Sequence, residues 1–445
     1  MALERQERHE NTEMASFVVI ALGGSSIEWY NFCLYAIAAV LVFPVLFFPP
    51  GVPPYIGLIA SFSTFAIGFL ARPIGSIVFG NLGDRAGRKA ALVVALTLMG
   101  FATTIIGLLP TYAEIGALAP IALVLCRFAQ GLAIGGHWGG AVLLLTESAA
   151  PERRGFYGAF AQAGAPVGLI LANLAFLVLS HNLTHDQFIE WGWRCPFVIN
   201  FLLISLALYA KFRLEETSVF RALEASDSPE LRFRSGPAPV LQALAKFPRE
   251  IGLATGAFLS VQVVSYTFLV FGISYAMDPE GLAISRIDML AVLVISSAVQ
   301  IPCLFLFAAY SDRHGRFGIS QLGTVFLGVL IFAVFPALET GSLLVITAVF
   351  CIGQSFIAMM YGPHAAMLSE LFSAEVRYSA ASIAYQLGAV LGGALPPIIA
   401  TLIFYATDNT IWVSAYAALA CVVSWFCFRS LRCGQARNRD IVGEN

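Results

Sequence analysis

The sequence predicts an all-α membrane protein in which twelve transmembrane helices form two repeated six-helix halves. Three observations predict it. Only 12% of the 445 residues are charged and 58% are hydrophobic, giving a mean hydropathy of +0.81. Twelve stretches are long and apolar enough to cross a bilayer. Charged motifs of the first half also return at matching places in the second.

A soluble domain carries about 25% Asp, Glu, Lys and Arg, so half the usual charge is missing. That excludes a water-soluble globular enzyme, a nucleic-acid binder and a disordered scaffold. The 39 Gly, 21 Pro and 36 Phe suit a polytopic helical protein. A net charge of −2 says nothing about partners; where the charges sit is more informative. The eight cysteines (Cys33, Cys126, Cys195, Cys303, Cys351, Cys421, Cys427 and Cys433) form no CxxC pair and lie mostly in apolar runs. They read as small hydrophobes, so no disulfide, metal or cofactor is expected.

Met1 to Glu13 carries Glu4, Glu7, Glu10 and Glu13. It lacks the basic start of a signal peptide and reads as a short solvated tail. One crossing needs about 20 mostly apolar residues. The candidate spans are 15–47, 55–79, 90–110, 118–146, 155–180, 194–211, 250–277, 286–309, 318–338, 342–370, 378–405 and 409–430. The first is long for one crossing, and a tilt or an interfacial end at Phe43-Pro44 absorbs the excess. The expected organisation is a tail 1–14, a six-helix half 15–211, a linker 212–249, a second half 250–430 and a tail 431–445.

Orientation follows from Lys and Arg in the connections. Arg72, Arg127, Arg194 and Arg286 lie in or at the edge of spans, and the other 21 basic residues fall in the tails or the even-numbered connections. The opposite loops carry acids such as Glu114, Asp186, Glu190, Asp278 and Asp408, and no Lys. Both termini are therefore expected in the cytoplasm, with the protein integral to the plasma membrane.

The stretch 211–249 is the long polar connection, and the sequence repeats across it. Gly83-Asp84-Arg85-Ala86-Gly87-Arg88 returns as Ser311-Asp312-Arg313-His314-Gly315-Arg316, 228 residues later. Glu147 and Arg154 return as Glu370 and Arg377 after 223 residues, and Gln162 returns near Gln386. Two such halves are the expected build of an alternating-access transporter, with substrate near the bilayer midplane.

The Asp-Arg-x-Gly-Arg loops and Arg127-Phe-Ala-Gln-Gly131 resemble the major facilitator superfamily. Within it, several stretches resemble the metabolite–proton symporter family: Glu28-Trp-Tyr-Asn-Phe32, Gly135-Gly-His-Trp-Gly-Gly140, Arg154-Gly-Phe-Tyr157, Trp191-Gly-Trp-Arg-Cys-Pro196 and Leu214-Glu-Glu-Thr217. Glu375-Val-Arg-Tyr378 and Tyr385-Gln-Leu-Gly388 extend the likeness into the second half. The family imports small organic acids and zwitterions. The resemblance implies that Asp84, Arg85 and Arg88 latch the halves when the inside is closed, mirrored by Asp312, Arg313 and Arg316. Glu147 with Arg154, and Glu370 with Arg377, are expected partners in that latch. The alternative is a set of charged turns that only fix topology.

An ionisable group inside a span costs several kcal/mol unless it is paired or faces a wet cavity. At about 100° per residue, Gly24, Glu28, Asn31 and Tyr35 fall on one stripe of the first span. Gln130 and His137 are nearly aligned in the fourth, with Arg127 close by. The simplest assembly sets Glu28 opposite Arg127 in a polar cavity, or as an ion pair that only holds two helices. Gln162 and Asn173 share a face of the fifth span. Gln262, Tyr266, Gln354, Tyr361, Tyr385 and Gln386 are candidates in the second half on polarity alone. His364, after Gly362-Pro363, is as well explained by a bond to a freed backbone carbonyl.

The chain departs from the family pattern at Asn31, usually Asp, and at His137, usually Glu. Glu28, Arg127 and an imidazole then leave a neutral-to-positive cavity, which prefers an anion. His137 is either a replacement proton site or a packing histidine.

The expected function is proton-coupled import of a small organic acid by a monomer that contacts only substrate and lipid. Two rivals are an exporter, suggested by the partial motif Gly164-Ala-Pro-Val-Gly168, and a transport-inactive sensor. The sensor is disfavoured because only about fifteen residues follow position 430. An enzyme is least expected, since no nucleophile elbow, nucleotide loop or metal-spaced His cluster occurs.

Overall fold

In hydrocarbon the backbone finds no partner but itself, so apolar runs of this length become helices. The structure, a computed structural model, describes residues 2–49, 54–213, 216–217, 220–221, 239–278 and 281–442. Eleven helices among the described residues are long and apolar enough to cross a membrane. In chain order the principal helices, one for each span, are α1 (Ala2–Leu41), α2 (Pro54–Ala86), α3 (Arg88–Leu108), α4 (Leu118–Ser148), α5 (Arg154–Asn182), α6 (Phe201–Arg213), α7 (Pro248–Tyr266), α8 (Arg286–His314), α9 (Arg316–Glu339), α10 (Leu343–Leu371), α11 (Arg377–Ala389, its span completed by Pro396–Thr407) and α12 (Thr410–Val442). This is the expected twelve-helix plan. Helix extends into both tails, since α1 starts at Ala2 and α12 runs to Val442, while the apolar spans within them are Met14–Ala39 and Thr410–Gly434. Most of the 212–249 linker lies outside the described residues.

The interruptions have local causes. The first helix ends before Phe43-Pro44, and Phe43–Leu46 makes a separate turn. The sixth span comes in two pieces, Arg194–Val198 and α6. Between them Asn200 N donates to Phe197 O at 3.2 Å, a three-residue closure, and its side-chain amide donates to Pro196 O at 3.0 Å. That shortens the apolar helix, so this span is absent from the eleven. A π-helical turn, Thr267–Gly272, continues α7, and another, Val390–Ala394, continues α11. The second runs into Pro396-Pro397, where two backbone donors are missing. Both Asp-Arg loops turn at a glycine in the left-handed region, Gly87 (φ 104°) and Gly315 (φ 88°). Up to Ala86 and His314 those loops are still helix.

The chain forms two compact units. Unit 1 comprises Met1–Ser148, Ala163–Val240 and Ala374–Ser382; unit 2 comprises Ala149–Gln162, Leu241–Ser373 and Ile383–Asn445. The start of α5 thus belongs to the unit built mainly from the second half, and the start of α11 to the unit built mainly from the first. In unit 1, α2 and α4 meet along small residues: Gly131 abuts the Gly68 carbonyl, Gly135 the Arg72 carbonyl, and Gly75 the Leu132 carbonyl. Phe43, Phe47, Trp193 and Phe197 pack edge-on or tilted in its core. In unit 2, Phe271, Tyr275, Phe335 and Phe404 do the same. Large apolar side chains such as Leu70, Leu125, Phe212 and Leu344 point outward, as lipid contact requires.

Candidate functional site

In unit 1 the stripe on α1 faces α4. A side chain on Gly24 would stand 2.5 Å from His137 Nε2. Glu28 Oε2 is 2.7 Å from His137 Nδ1, and both residues are buried. Farther along, the Tyr35 ring lies 4.1 Å from the Arg127 guanidinium carbon, and its hydroxyl is 2.7 Å from Thr64 Oγ1. Arg127 donates to Gln130 Oε1 at 3.1 Å, and Gln130 Nε2 donates to Thr103 Oγ1 at 2.6 Å.

Glu28 therefore pairs with His137, not with Arg127 as the sequence suggested. The two helices run in opposite directions. Glu28 to Tyr35 is about 10 Å along α1, and His137 to Arg127 is about 15 Å along α4. Once Glu28 meets His137, Arg127 falls level with Tyr35. Position 68 completes its seat, because a Cβ there would be 2.5 Å from Arg127 Nε. Asn31 is 2% exposed, and among the described residues neither atom of its amide has a hydrogen-bond partner.

A separate polar cluster lies in unit 2. Gln162 Nε2 donates to Tyr361 O at 3.1 Å, and the Tyr361 and Tyr385 hydroxyls are 3.2 Å apart. Phe258 stacks on Tyr385 and on His364, each at 4.6 Å. His364 is thus one layer of an aromatic stack. Gln262, Tyr266, Gln354 and Gln386 are buried. Asn173 turns its amide onto Leu169 O of its own helix and joins neither cluster. Gly164 and Gly168 of the partial exporter motif abut Ser25, Ser26 and Trp29 of α1, a packing use.

The two Asp-Arg motifs make equivalent contacts, each within one unit. Asp84 accepts hydrogen bonds from Tyr378 N (3.2 Å) and Ser379 N (3.0 Å) at the start of α11. Asp312 accepts them from Gly155 N (2.8 Å) and Phe156 N (2.9 Å) at the start of α5. A carboxylate at a helix N-terminus meets free N–H groups and the positive end of the dipole. Arg88 bonds Asp84 (3.0 Å) and Ala374 O (2.8 Å) and lies 3.4 Å from Glu147. Arg316 bonds Asp312 and Glu370, the latter at 2.9 Å.

The remaining partners differ from expectation. Glu147 pairs with Arg377 at 3.0 Å rather than with Arg154, and Glu370 with Arg316 rather than with Arg377. Among the described residues Arg154 makes no ion pair. Helix geometry accounts for this: Arg154 and Arg377 each open a helix whose first amides are held by an aspartate, and only Arg377 is carried to the Glu147 carboxylate. Arg85 and Arg313 are exposed.

Four further residues, outside the candidate site set, contribute: Glu216, Thr217, Tyr378 and Arg72. Glu216 accepts from Arg88 N (3.0 Å) and Lys89 N (3.2 Å), capping α3, and Thr217 Oγ1 donates to Glu147 (2.9 Å). Burial holds the Glu216 carboxyl above its ordinary range, against the lowering effect of those amides and of Arg88. Tyr378 fills a socket of glycines, with Gly83 and Gly139 against the ring, Gly140 against its hydroxyl, and that hydroxyl donating to Gly136 O at 2.6 Å. Arg72 lies buried against two aromatic rings. Only the run of glycines from Gly135 to Gly140 hints at the socket in the sequence.

Comparison with known proteins shows the family. Residues 34–397 match the family model described as Major Facilitator Superfamily. An "Inner membrane metabolite transport protein YhjE" of Escherichia coli is 42% identical over 389 residues, covering 86% of each chain. A "Shikimate transporter" of the same organism is 37% identical over 91% of each, and its "Proline/betaine transporter" is 30% identical over 98% of this chain and 86% of its own. Among solved structures, the proton:xylose symporter XylE superposes with a TM-score of 0.72 over 95% of each chain at 15% identity, a likeness of fold. The chain belongs to the Major Facilitator Superfamily and is an integral membrane transporter.

Proposed function

We propose that this transporter imports a small organic acid by proton-coupled symport through alternating access, as a monomer with both termini in the cytoplasm. The observation that carries the reading is the buried 2.7 Å contact between Glu28 and His137, on the same two helices that hold Arg127. Arg127 is a permanent cation and serves as counter-ion for a carboxylate. The carboxylate–imidazole pair is the proton site. A proton added to that pair makes the cavity more positive and favours an anion; its loss weakens the anion's hold, and the coupling is reciprocal. The relative named for shikimate supports an acid cargo. In unit 2, Gln162, Gln262, Tyr266, Tyr361, Tyr385 and Gln386 are a separate set of buried neutral polar side chains. Asp84 and Asp312, each on a helix N-terminus, act as latches that hold the inside closed, with Arg88, Glu147, Arg316, Glu370 and Arg377 as their ionic support.

Uptake into proteoliposomes tests this, with and without an inward proton gradient, across labelled mono-, di- and tricarboxylates, aromatic acids and betaine. Gradient-driven accumulation of an acid is expected. Arg127→Ala abolishes binding in a thermal-shift panel, and His137→Gln keeps binding but loses the response to the gradient. Wild-type binding by Arg127→Ala sinks the reading, and gradient-driven expulsion would make the protein an exporter.

A further inference from the structure

Arg72 has no role so far, although it is a guanidinium in the middle of α2 that is only 7% exposed. Its Nε has no hydrogen-bond partner, and among the described residues no carboxylate forms an ion pair with it. What surrounds it is aromatic. The guanidinium carbon lies 4.3 Å from the Phe69 ring centroid and 5.4 Å from that of Phe32. Ring faces attract a cation, but they return only part of what removing it from water costs within a bilayer. A buried cation held this way still lacks an anion.

Its position says which anion. Gly68, one turn before Arg72 on α2, is the residue against which the Arg127 guanidinium lies. Phe32 over Arg72 and Tyr35 over Arg127 are three residues apart on α1. Each cation thus rests on an aromatic ring from α1, about 6 Å apart in rise along α2. Asn31, beside Phe32, brings a buried amide with both atoms unpartnered. Within the spans of unit 1, away from the helix ends, the acidic and basic side chains among the described residues are Glu28, Arg72, Arg127 and His137, and Glu28 is committed to His137.

We propose that Arg72 is a second anion-binding residue of the transport site, so that the preferred cargo carries two negative groups, one on Arg127 and one on Arg72, with Phe32 and Phe69 as walls. The inference rests on the acid-transporter reading above and adds the charge of the cargo and the residue that selects it. A short dicarboxylate fits two guanidiniums at neighbouring levels, because each presents paired N–H donors that match a carboxylate. Asn31 contributes a neutral donor where an acid would repel such a cargo.

The test measures binding of butyrate, succinate and glutarate to the purified full-length protein by isothermal titration, for wild type, Arg72→Gln and Arg72→Lys. Wild type is expected to bind a diacid at least tenfold more tightly than butyrate. Arg72→Gln lowers diacid affinity tenfold or more and butyrate affinity threefold or less. Arg72→Lys keeps the charge without the fork and falls between, and it decides the matter alone if the Gln variant does not fold. Equal loss for mono- and diacid, or no diacid preference in wild type, overturns this proposal and leaves the acid-transporter reading standing. Binding of none of the three together with uptake of betaine alone overturns both.

Discussion

Arg127 can lie against α2 because residue 68 has no side chain. Its guanidinium occupies the volume a Cβ would claim, at 2.5 Å from Nε and 3.0 Å from Cζ. The obstructing group is the far end of a flexible side chain, so Gly68→Ala should fold. The arginine would have to swing off the Tyr35 ring, and with it the proposed carboxylate seat. At least a tenfold loss of acid binding by titration calorimetry is expected, with an unchanged thermal unfolding profile. A matched loss of stability would make Gly68 a packing residue only. Individual site residues were readable from the sequence as polar groups stranded in apolar helices: Glu28, Asn31, Tyr35, Arg127, Gln130 and His137 all turned out to be buried on two facing helices. Their pairing was not. Spacing along one helix fixes which residues share a face, but the register against a neighbour depends on close contacts such as Gly131 on Gly68, and these are invisible until the helices are docked. The seat of Arg72 is hidden from the sequence for the same reason, since one of its two rings, Phe32, comes from α1.

The elements that open α5 and α11 behave alike because repeated aspartates receive them, yet one carries an extra anchor. Tyr378 enters a socket lined by Gly83, Gly139 and Gly140 and donates to Gly136 O at 2.6 Å. The position 223 residues earlier is Gly155, so the start of α5 has no such key. Tyr378→Phe removes one buried hydrogen bond while keeping the ring, at a cost of about 1 kcal/mol. If this contact holds α11 in the latched arrangement, cysteine labelling of the cytoplasmic cavity should speed up about fivefold. Unchanged labelling would assign the socket to folding alone. The latch motifs were legible as elements because Gly-Asp-Arg-Ala-Gly-Arg is a local signal: the helix end, the turn at Gly87 and the aspartate lie within six residues. The break at Ile199-Asn200 was not, since an apolar run reads the same whether or not Pro196 and Asn200 interrupt its hydrogen bonding. Neither was Glu216, whose role as a cap on α3 needs the linker folded back to the start of that helix.

For the whole molecule, the repeat has a thermodynamic consequence. Asp84 holds the start of α11 within unit 1 and Asp312 holds the start of α5 within unit 2, each through two backbone amides. Twelve spans and a six-plus-six repeat could be read from composition and motif spacing. That two short segments would cluster with the opposite unit could not, because it is decided by which helix ends the aspartates capture. Replacing either aspartate with asparagine removes the charge and one acceptor, worth about 1.5 kcal/mol for a charge-assisted bond, or about tenfold in a conformational equilibrium. Each single variant should therefore raise the inward-open population by about that factor, read from the rate at which a cytoplasmic-cavity cysteine is alkylated. If alternating access is one motion that breaks both latches, the two penalties act on the same equilibrium. Asp84→Asn combined with Asp312→Asn should then shift it by about a hundredfold, since independent contributions add in free energy. If the latches open in separate steps, the double variant should label no faster than the quicker single one. A multiplicative result requires both aspartates to release in the same transition; a saturating one would mean that the repeat in sequence is not matched by concerted motion.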